Sequence, residues 1–485
     1  MTLTEVAAVV GGRLADATGD ELVTAPATID SRDVPAGSLF VALPGERVDG
    51  HDYAAGAVAD GAAGVLGARD VGVPAVLVED PAAALGVLAR HVRDRLAATV
   101  LALTGSQGKT GTKDYLAGLL AHTGAETVAT RGNLNNELGV PLTVLRATPT
   151  TRYLVVEMGA RGVGHIALLC GIARPDVAAV LNVGSAHLGE FGSVEAIARA
   201  KGEIVESLAP DGVAVLAADD PRVAAMRPRT SAAVLTFGGP GADVAGDLLA
   251  LDPRGRPRFT LSHGDERAEV TLALPGRHQV ANATAAATMA LAAGVGLADV
   301  AAGLTAARPD SRWRTEVTER ADGLLVLNDA YNANPASMHA ALATLVDLAA
   351  GDGSGARRRT VAVLGEMKEL GGAAYDGHVE VGRAAARQGV DVLVVVDGAP
   401  GGAAAGLADG AETAEDTPGT AQHTPLVVRT TGRDEATAWV GENVAADDVV
   451  LVKASRGVAL ERVAETLTHG PTESSTESSR EGDPT

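Results

Sequence analysis

A glycine-rich stretch followed by lysine and threonine is the strongest chemical signal in this chain. It reads GSQGKTG and comprises Gly105, Ser106, Gln107, Gly108, Lys109, Thr110 and Gly111. Backbone N–H groups in such a turn, together with a helix N-terminus, converge on one point and bind phosphate. Lys109 adds a positive charge for the outer phosphates, and the Thr110 hydroxyl is suited to Mg²⁺. The loop is a shortened variant, because Leu103 stands where the usual pattern has its first glycine.

Charged and imidazole groups follow two later apolar runs. Glu157 closes the run YLVVE, where its carboxylate is suited to a metal beside the phosphate loop. His187 follows the run Val177–Val183 and predicts a second metal contact. Lys201 lies on a helix that Ser193 is expected to cap. A solvated side chain is the plainer interpretation of each one alone, but their occurrence with the lysine–threonine pair favours a nucleotide site.

Two strand-to-helix turns near the C-terminus carry further polar groups. The turn NDAYNANPASM contains Asp329, Tyr331 and Asn332, and ordinary turn chemistry explains it equally well. The last apolar run ends in VKASRG. Its Lys453, Ser455 and Arg456 precede a helix and suit an anion. These polar groups indicate a binding site but do not identify its ligand.

The N-terminal region has a comparable cluster. Asp30, Ser31 and Arg32 lie beside a predicted strand, and the turn DGHDY follows it. Ligands usually bind where such hydrogen-bonding groups surround strand ends. Turn formation alone is an equally good explanation at this point.

Composition excludes several classes of protein. The 485 residues carry a formal net charge of −21, which argues against nucleic acid as a partner. The N-terminus lacks the basic segment of a signal peptide, and no long uncharged apolar run predicts a membrane span. A single cysteine fits a reducing, cytoplasmic environment.

Lysine is scarce in this chain. There are 40 lysines and arginines together, and the lysines are Lys109, Lys113, Lys201, Lys368 and Lys453. Arginine has replaced lysine almost everywhere else. We therefore expect the remaining lysines to lie where a primary amine is needed that a guanidinium cannot replace.

Alternating strand and helix patterns predict an α/β protein of three domains. A small α/β domain is expected at 1–95 and a central P-loop domain at 96–308, with a mostly parallel sheet wrapped by helices. A C-terminal α/β domain at 309–468 resembles a six-stranded dinucleotide fold. Residues 401–422 are predicted to be a flexible surface insertion, and 469–485 a disordered tail.

Nine strings give the chain a resemblance to the Mur ligases, the ATP-dependent amide ligases of peptidoglycan precursor synthesis. They span all three predicted domains in order, between about residues 28 and 467. The strings are TGSQGKTGTKD, GNLNNELGVPLTVL, VVEMGARGVGHI, AHLGEFGSVEAIARAKGEI, GRHQVANATAA, SRWRTEV, NDAYNANPASM, VLGEMKELG and VKASRG. NDAYNANPASM and GNLNNELGVPLTVL are characteristic of the member that adds D-alanyl-D-alanine. The DNPR string of the diaminopimelate- or lysine-adding member does not occur.

The resemblance implies a reaction and a set of partners. It implies that D-alanyl-D-alanine is added to UDP-N-acetylmuramoyl-tripeptide through an acyl phosphate, with ATP converted to ADP and phosphate. Mg²⁺ is implied as a cofactor, and a monomer is expected. The N-terminal domain would hold the UDP end of the substrate, and the central domain would hold ATP.

The resemblance also implies roles for individual residues. Lys109 would bind phosphate, and the implied metal ligands are Thr110, Glu157, His187 and Lys201. Lys201 matches a lysine that family members carry as a carbamate. Asn282 would lie on the adenine side, with Asp329, Tyr331 and Asn332 also near the nucleotide. The implied substrate-binding residues are Asp30, Ser31, Arg32, Asn135, Asn136, Lys453, Ser455 and Arg456.

Two departures and two alternatives accompany this interpretation. Gln107 and Gly111 replace residues that are commoner in the family, which would affect the rate more than the reaction. One alternative is another ligase of the superfamily, such as one that adds glutamate to folate, although the N-terminal domain argues against it. The other is a nucleotide-binding protein without catalysis. The non-catalytic alternative is disfavoured by four residues that occur together, Lys109, Glu157, His187 and Lys201.

Overall fold

A computed structural model describes residues 1–45, 48–184, 188–308, 311–351, 357–398, 401–413 and 424–469. Three sheets are present in two compact units. The first unit comprises Met1–Leu251 and Arg256–Ser311, and the second comprises Asp252–Gly255 and the chain from Arg312. The predicted α/β class and the mostly parallel sheets are confirmed.

The N-terminal sheet has four strands in the order β1-β4-β3-β2. The strands are β1 (Arg13–Ala15), β2 (Leu39–Val41), β3 (Gly64–Gly67) and β4 (Ala75–Leu77). Only β1 is antiparallel to its neighbour. The helices are α1 (Leu3–Val10), α2 (Ala54–Ala59) and α3 (Pro81–Arg93). The strands predicted near 39–42 and 75–78 are confirmed as β2 and β4.

The central sheet has nine strands in the order β13-β12-β11-β10-β9-β8-β5-β7-β6. The parallel strands are β5 (Thr99–Thr104), β6 (Thr127–Ala129), β7 (Tyr153–Glu157), β8 (Val177–Val180), β9 (Val213–Ala217), β10 (Ala233–Gly238) and β11 (Val244–Leu251). The strands β12 (Pro257–His263) and β13 (Glu266–Thr271) extend it as an antiparallel hairpin, as predicted for 257–274. The sequence patterns did not predict β6 and β11.

Helices cover this sheet and bury its strands. They are α4 (Lys109–His122), α5 (Gly139–Val144), α6 (His165–Ala173), α7 (Leu188–Phe191), α8 (Val194–Glu206), α9 (Pro221–Ala224), α10 (His278–Ala292) and α11 (Leu297–Ala306). Every residue of β7 is buried, including Glu157 at its end. Strands covered on both faces read as continuous apolar runs, which is why their polar terminal residues stood out in the sequence.

The second unit contains a six-stranded sheet in the order β14-β15-β19-β16-β17-β18. The strands are β14 (Glu316–Glu319), β15 (Leu325–Asn328), β16 (Thr360–Gly365), β17 (Val392–Val396), β18 (Leu426–Thr430) and β19 (Val449–Lys453). Only β14 runs antiparallel to its neighbour. The helices are α12 (Pro335–Ala350), α13 (Ala374–Arg387), α14 (Ala405–Glu412), α15 (Arg433–Asn443) and α16 (Glu461–His469). The predicted count of six strands is confirmed.

The prediction of a flexible insertion at 401–422 is wrong over its described part. Helix α14 occupies most of 401–413, and its Leu407, Ala408 and Ala411 are buried. Its small residues allow close packing on α13, so a composition typical of a flexible loop instead makes a helix–helix contact. Residues 414–423 lie outside the described part of the chain, as does the predicted tail beyond His469.

No helix within the described ranges combines the length and the apolar character needed to cross a bilayer.

We expect Gly410→Ala to destabilise the second unit. A Cβ at Gly410 would collide with the main-chain carbonyl of Val379 on α13. Overpacking of this kind costs about 1–3 kcal/mol. Gly441→Ala is the matched control, because Gly441 lies in α15 with open space around its Cα and gains about 0.5–1 kcal/mol of helix propensity. Scanning calorimetry should show a lower unfolding temperature only for Gly410→Ala, and equal temperatures would contradict the close contact of α13 and α14.

Candidate active site

The phosphate loop joins β5 to α4 and is shaped by its glycines. Gly108 has φ of +78°, a conformation that glycine adopts without strain, and it directly precedes the first helical residue, Lys109. Gly105 lies against the end of β8, where an added Cβ would be 2.9 Å from Leu181 Cβ. The first N–H groups of α4 therefore point out of the carboxyl edge of the sheet, as the sequence predicted.

Helix α10 closes one side of this loop. A Cβ on Gly108 would lie 2.5 Å from Asn282 Oδ1, and one on Gly111 would lie 3.2 Å from Asn282 Nδ2. The Asn282 amide also donates to Gln279 Oε1 at 3.2 Å. The structure thus places Asn282 at the loop, and the small residue at 111 leaves room for it.

Two lysines lie beside the loop. Lys109 Nζ donates to the carbonyl of Gly105 at 2.7 Å. Lys201, on α8, is only 4% exposed. Burial holds the pKa of the Lys201 amine well below its usual range, and the positive charge of Lys109 lowers this pKa further. Within the described part of the chain no carboxylate forms an ion pair with Lys201, so no negative charge offsets these two effects.

Glu157 presents one bound and one open oxygen at the same edge. Its Oε1 accepts a hydrogen bond of 2.8 Å from Asn135 Nδ2. Its Oε2 is buried and has no hydrogen-bond partner among the described residues. The backbone N–H of Glu157 donates to Thr130 Oγ1 at 3.0 Å, which fixes the end of β7. An open carboxylate oxygen in such a place is suited to a cation.

Asn136, next to Asn135 in the chain, has a structural role. Asn136 Oδ1 accepts hydrogen bonds from the N–H groups of Leu138 and Gly139, at 3.3 and 2.9 Å, at the start of α5. Of the two asparagines predicted to bind substrate, Asn135 thus lies on Glu157, whereas the oxygen of Asn136 is already used by the helix.

The described residues do not include a complete metal cluster. His187, a predicted metal ligand, lies outside them. Among the described residues, no three His, Cys, Asp or Glu side chains converge as a metal site. Mg²⁺ in nucleotide enzymes commonly takes one or two protein ligands and completes its shell with phosphate and water. The open oxygen of Glu157 and the buried Thr110 hydroxyl are compatible with that arrangement.

The N-terminal candidate residues form a loop held by its own ion pair. Arg32 donates to both oxygens of Asp30, at 2.8 and 2.7 Å, and these hydrogen bonds lower the pKa of Asp30 to about 2. Ser31 lies between them in the same turn. In the DGHDY turn, His51 Nδ1 is 2.6 Å from Asp49 Oδ1, and His51 Nε2 accepts from Ala68 N–H. The buried His51 thus fixes this turn to the end of β3.

In the second unit, an ion pair joins the ends of two adjacent strands. Lys453 Nζ lies 2.6 Å from Asp329 Oδ2 and donates to the carbonyl of Asn332 at 2.8 Å. Asp329 Oδ1 accepts from Thr315 N–H at 3.0 Å. Lys453 is 2% exposed. The structure thus brings Lys453 together with Asp329 and Asn332, which lie on a different turn in the sequence.

Two other candidate residues of this unit, Tyr331 and Arg456, each form a contact between a guanidinium group and an aromatic ring. The Arg314 guanidinium lies 4.2 Å from the centre of the Tyr331 ring, and that of Arg456 lies 4.3 Å from the Trp313 ring. Arg456 also pairs with the buried Glu461. Ser455 Oγ accepts from Lys368 N–H at 2.9 Å, which joins the loops after β16 and β19.

Sequence reasoning missed several residues that shape these sites. They are Asn182, Lys113, Trp313, Arg314 and Glu461. Lys113 is 4% exposed, donates to the Thr130 carbonyl at 3.0 Å and pairs with Asp114 at 2.7 Å. Its presence among the few lysines was the available signal. Asn182 carried a weaker signal, as a polar residue after an apolar strand.

Family comparisons match most of the chain. The Mur ligase family catalytic domain matches residues 27–93, and the Mur ligase middle domain matches 103–290. The domain described as Mur ligase, glutamate ligase domain matches 313–456.

Individual relatives agree with these matches. The UDP-N-acetylmuramoyl-tripeptide–D-alanyl-D-alanine ligase of Mycobacterium tuberculosis H37Rv is 46% identical over 96% of this chain and 97% of its own. The ligase of the same name from Escherichia coli K12 is 38% identical over 82% of this chain and 86% of its own.

Solved structures show the same similarity in three dimensions. A crystal structure of MurF from Acinetobacter baumannii has a TM-score of 0.83 at 33% identity, covering 96% of this chain and 98% of its own. The MurF ligase of Thermotoga maritima in complex with ADP has a TM-score of 0.75 at 31% identity, covering 93% and 98%. On this sequence and structural similarity, the chain belongs to the Mur ligase family.

Proposed function

We propose that this chain joins D-alanyl-D-alanine to UDP-N-acetylmuramoyl-tripeptide, with ATP converted to ADP and phosphate. The observation that carries the proposal is 46% identity to the M. tuberculosis ligase of that name over 96% of the chain. The phosphate loop with Lys109, Glu157 and Lys201 supports it, because these groups suit ATP-driven activation of a carboxylate.

The proposed reaction has two steps. A carboxylate oxygen of the tripeptide attacks the γ-phosphorus of ATP, and ADP leaves as the acyl phosphate forms. The amine of D-alanyl-D-alanine then attacks the acyl carbon, loses a proton, and phosphate leaves as the amide forms. Both reactants of the first step are anions, so the protein's main task is to offset their repulsion and hold them in line.

The residues of the first unit divide this task. We assign the outer phosphates of ATP to Lys109 and to the N–H groups at the start of α4. Thr110 and Glu157 would hold Mg²⁺, which supplies positive charge against the phosphates when bound. Asn135 keeps Glu157 in place through the 2.8 Å hydrogen bond to Oε1 and leaves Oε2 open. We also assign His187 to the metal, on the resemblance alone.

We propose that Lys201 acts as a carbamate. A neutral amine adds to carbon dioxide and releases one proton, which turns the uncharged side chain into a carbamate anion. Burial and Lys109 both lower the pKa of the Lys201 amine, which favours the neutral form that this addition needs. A carbamate anion would be attracted by the charge of Lys109, which disfavours the protonated form of Lys201.

The substrate assignments rest on the family resemblance together with placement. Asp30, Ser31 and Arg32 are assigned to the UDP end, and Asn135 and Asn136 to the peptide end. Asn282 is assigned to the adenine side of ATP.

In the second unit, we assign Asp329, Tyr331 and Asn332 to the nucleotide. Lys453, Ser455 and Arg456 are assigned to the substrates. We further propose that the chain works as a monomer in the cytoplasm, since one chain carries every assigned residue.

The test of the function is whether phosphate release depends on the dipeptide. We expect ATP and UDP-N-acetylmuramoyl-tripeptide to give sustained phosphate release, with a matching amount of amide product, only when D-alanyl-D-alanine is added. L-glutamate serves as the competing amine, because one matched domain is described as a glutamate ligase domain. Release that is unchanged by the dipeptide, or that L-glutamate supports equally, would contradict the proposal.

We expect Lys201→Arg to abolish amide formation, because a guanidinium does not form a carbamate under these conditions. Lys201→Ala should also be inactive and should recover part of its activity with a short-chain carboxylic acid, which restores a carboxylate. Mass spectrometry of the intact native protein provides a separate readout and should show one carbon dioxide added to the wild type only. Full activity of Lys201→Arg would exclude the carbamate.

We expect Glu157→Gln to lower kcat about 10²–10³-fold, the usual effect of losing one electrostatic contact to a transition state. The amide keeps an oxygen for Asn135, so the loop should remain in place, and more Mg²⁺ should be needed for half-maximal rate. Glu137→Gln is the matched control, since Glu137 is exposed on the loop that carries Asn135 and the variant loses the same charge. Equal rates for the two variants would remove Glu157 from the site.

A further inference from the structure

The phosphate loop is fastened to the chain that follows β8 through one carboxamide. We propose that Asn182 is a positioning residue that holds this loop in its phosphate-binding shape before nucleotide arrives. As a consequence, the N–H groups of Ser106 and Gln107 serve the loop and do not bind phosphate. The inference rests on the proposed function in one respect, namely that ATP binds at this loop.

Asn182 makes hydrogen bonds in both directions with the loop. Its Oδ1 accepts from Ser106 N–H at 2.9 Å and from Gln107 N–H at 3.0 Å. Its Nδ2 donates to the carbonyl of Gln107 at 3.1 Å. The main-chain carbonyl of Asn182 lies 3.2 Å from Ser106 N and shares that donor. Gln107 N–H is therefore the group that depends on the side chain of Asn182.

Contacts on both sides keep the two segments in register. Ser106 Oγ accepts from Gly184 N–H at 2.8 Å. Gly105 lies so close to Leu181 that no side chain fits between them. The loop cannot shift along the 181–184 segment without losing these contacts. The register thus fixes which N–H groups meet Asn182.

The shortened loop explains why such a clamp is needed. Leu103 belongs to β5, so only Gly105, Ser106, Gln107 and Gly108 turn the chain into α4. Backbone donors in a turn this tight need partners when they lie away from water. Asn182, just after the neighbouring strand β8, supplies these partners. The N–H groups at the start of α4 are then left to face the phosphates.

The clamp requires an amide rather than another polar group. An aspartate would accept both N–H groups but would oppose the Gln107 carbonyl and add negative charge near the phosphates. An apolar residue would leave the N–H and the carbonyl of Gln107 without these partners, whereas Ser106 N–H would keep the main-chain carbonyl of Asn182. A carboxamide supplies an acceptor oxygen and a separate donor nitrogen on one short side chain without a charge.

Hydrogen–deuterium exchange resolved to single residues tests the proposal without catalysis. In the nucleotide-free full-length protein, Asn182→Ala should make the backbone N–H of Gln107 exchange about ten-fold faster or more, which is the scale of one lost hydrogen bond. The Gln107 amide below means this backbone group. ADP should slow the amides at the start of α4 in both proteins and should leave the Gln107 amide fast in the variant. Restoration of slow exchange at Gln107 by ADP would overturn the proposal, because phosphate would then be its partner.

Kinetics separate positioning from general damage. We expect Asn182→Ala to raise KM for ATP about ten-fold while kcat changes little, because loop ordering then opposes nucleotide binding. Asn182→Asp should keep the Gln107 amide slow yet also raise KM for ATP through its charge. A fall in kcat with unchanged KM for ATP in Asn182→Ala would overturn the assignment.

A control variant and a binding measurement complete the design. Ser106→Ala removes the contact to Gly184 and leaves the Gln107 bonds, so its Gln107 amide should stay slow. Calorimetric titration with ADP tests the proposed function separately, since wild-type protein that binds no ADP would contradict that function. The exchange difference between the nucleotide-free proteins tests Asn182 whatever that titration gives.

Discussion

The removal of charged groups from water at the carboxyl edge of the central sheet is the constraint on which this structure depends. Helices cover both faces of the sheet, so side chains that end its strands are buried although they are polar. Glu157, at the end of β7, is 1% exposed, and Lys201, on helix α8, is 4% exposed. In such surroundings electrostatic interactions are stronger than in water, and an unpaired polar atom is costly. The Oε2 of Glu157 has no hydrogen-bond partner among the described residues, and burial lowers the pKa of the Lys201 amine.

At the carboxyl edge of the sheet in the second unit, a buried charge is paired with a charge of the protein itself. Lys453 meets Asp329 and the carbonyl of Asn332, so its charge is compensated within the protein. Removing one member of a buried pair typically costs about 3–5 kcal/mol, because the other charge is left behind. The pair joins β15 to β19 and gives fixed positions to the turns that carry Tyr331 and Ser455. The N-terminal loop uses an exposed pair, Asp30 and Arg32, which contributes far less.

The structure explains why lysine is retained at three of its five positions. Lys113, Lys201 and Lys453 are each nearly fully buried. A compact amine fits such sites and can meet carbonyl oxygens one by one, whereas a planar guanidinium needs more space and cannot become neutral. Replacement of lysine by arginine elsewhere thus made the buried positions visible in the sequence.

The sequence by itself determined the α/β class and the order of the three sheets, and it singled out most of the residues that we propose for the site. Glu157 and Asp329 follow apolar runs, whereas Lys109 and Lys201 stood out through the glycine-rich motif and the scarcity of lysine, so all four could be singled out without coordinates. Tertiary structure alone decided which of them meet. The short strands β6 and β11 lack a strong pattern, and the glycine- and alanine-rich stretch around α14 looked flexible because its partner on α13 is distant in sequence. Asn182 acquires its task only when β8 lies beside β5, because a hydrogen bond between residues 75 positions apart is a property of the fold.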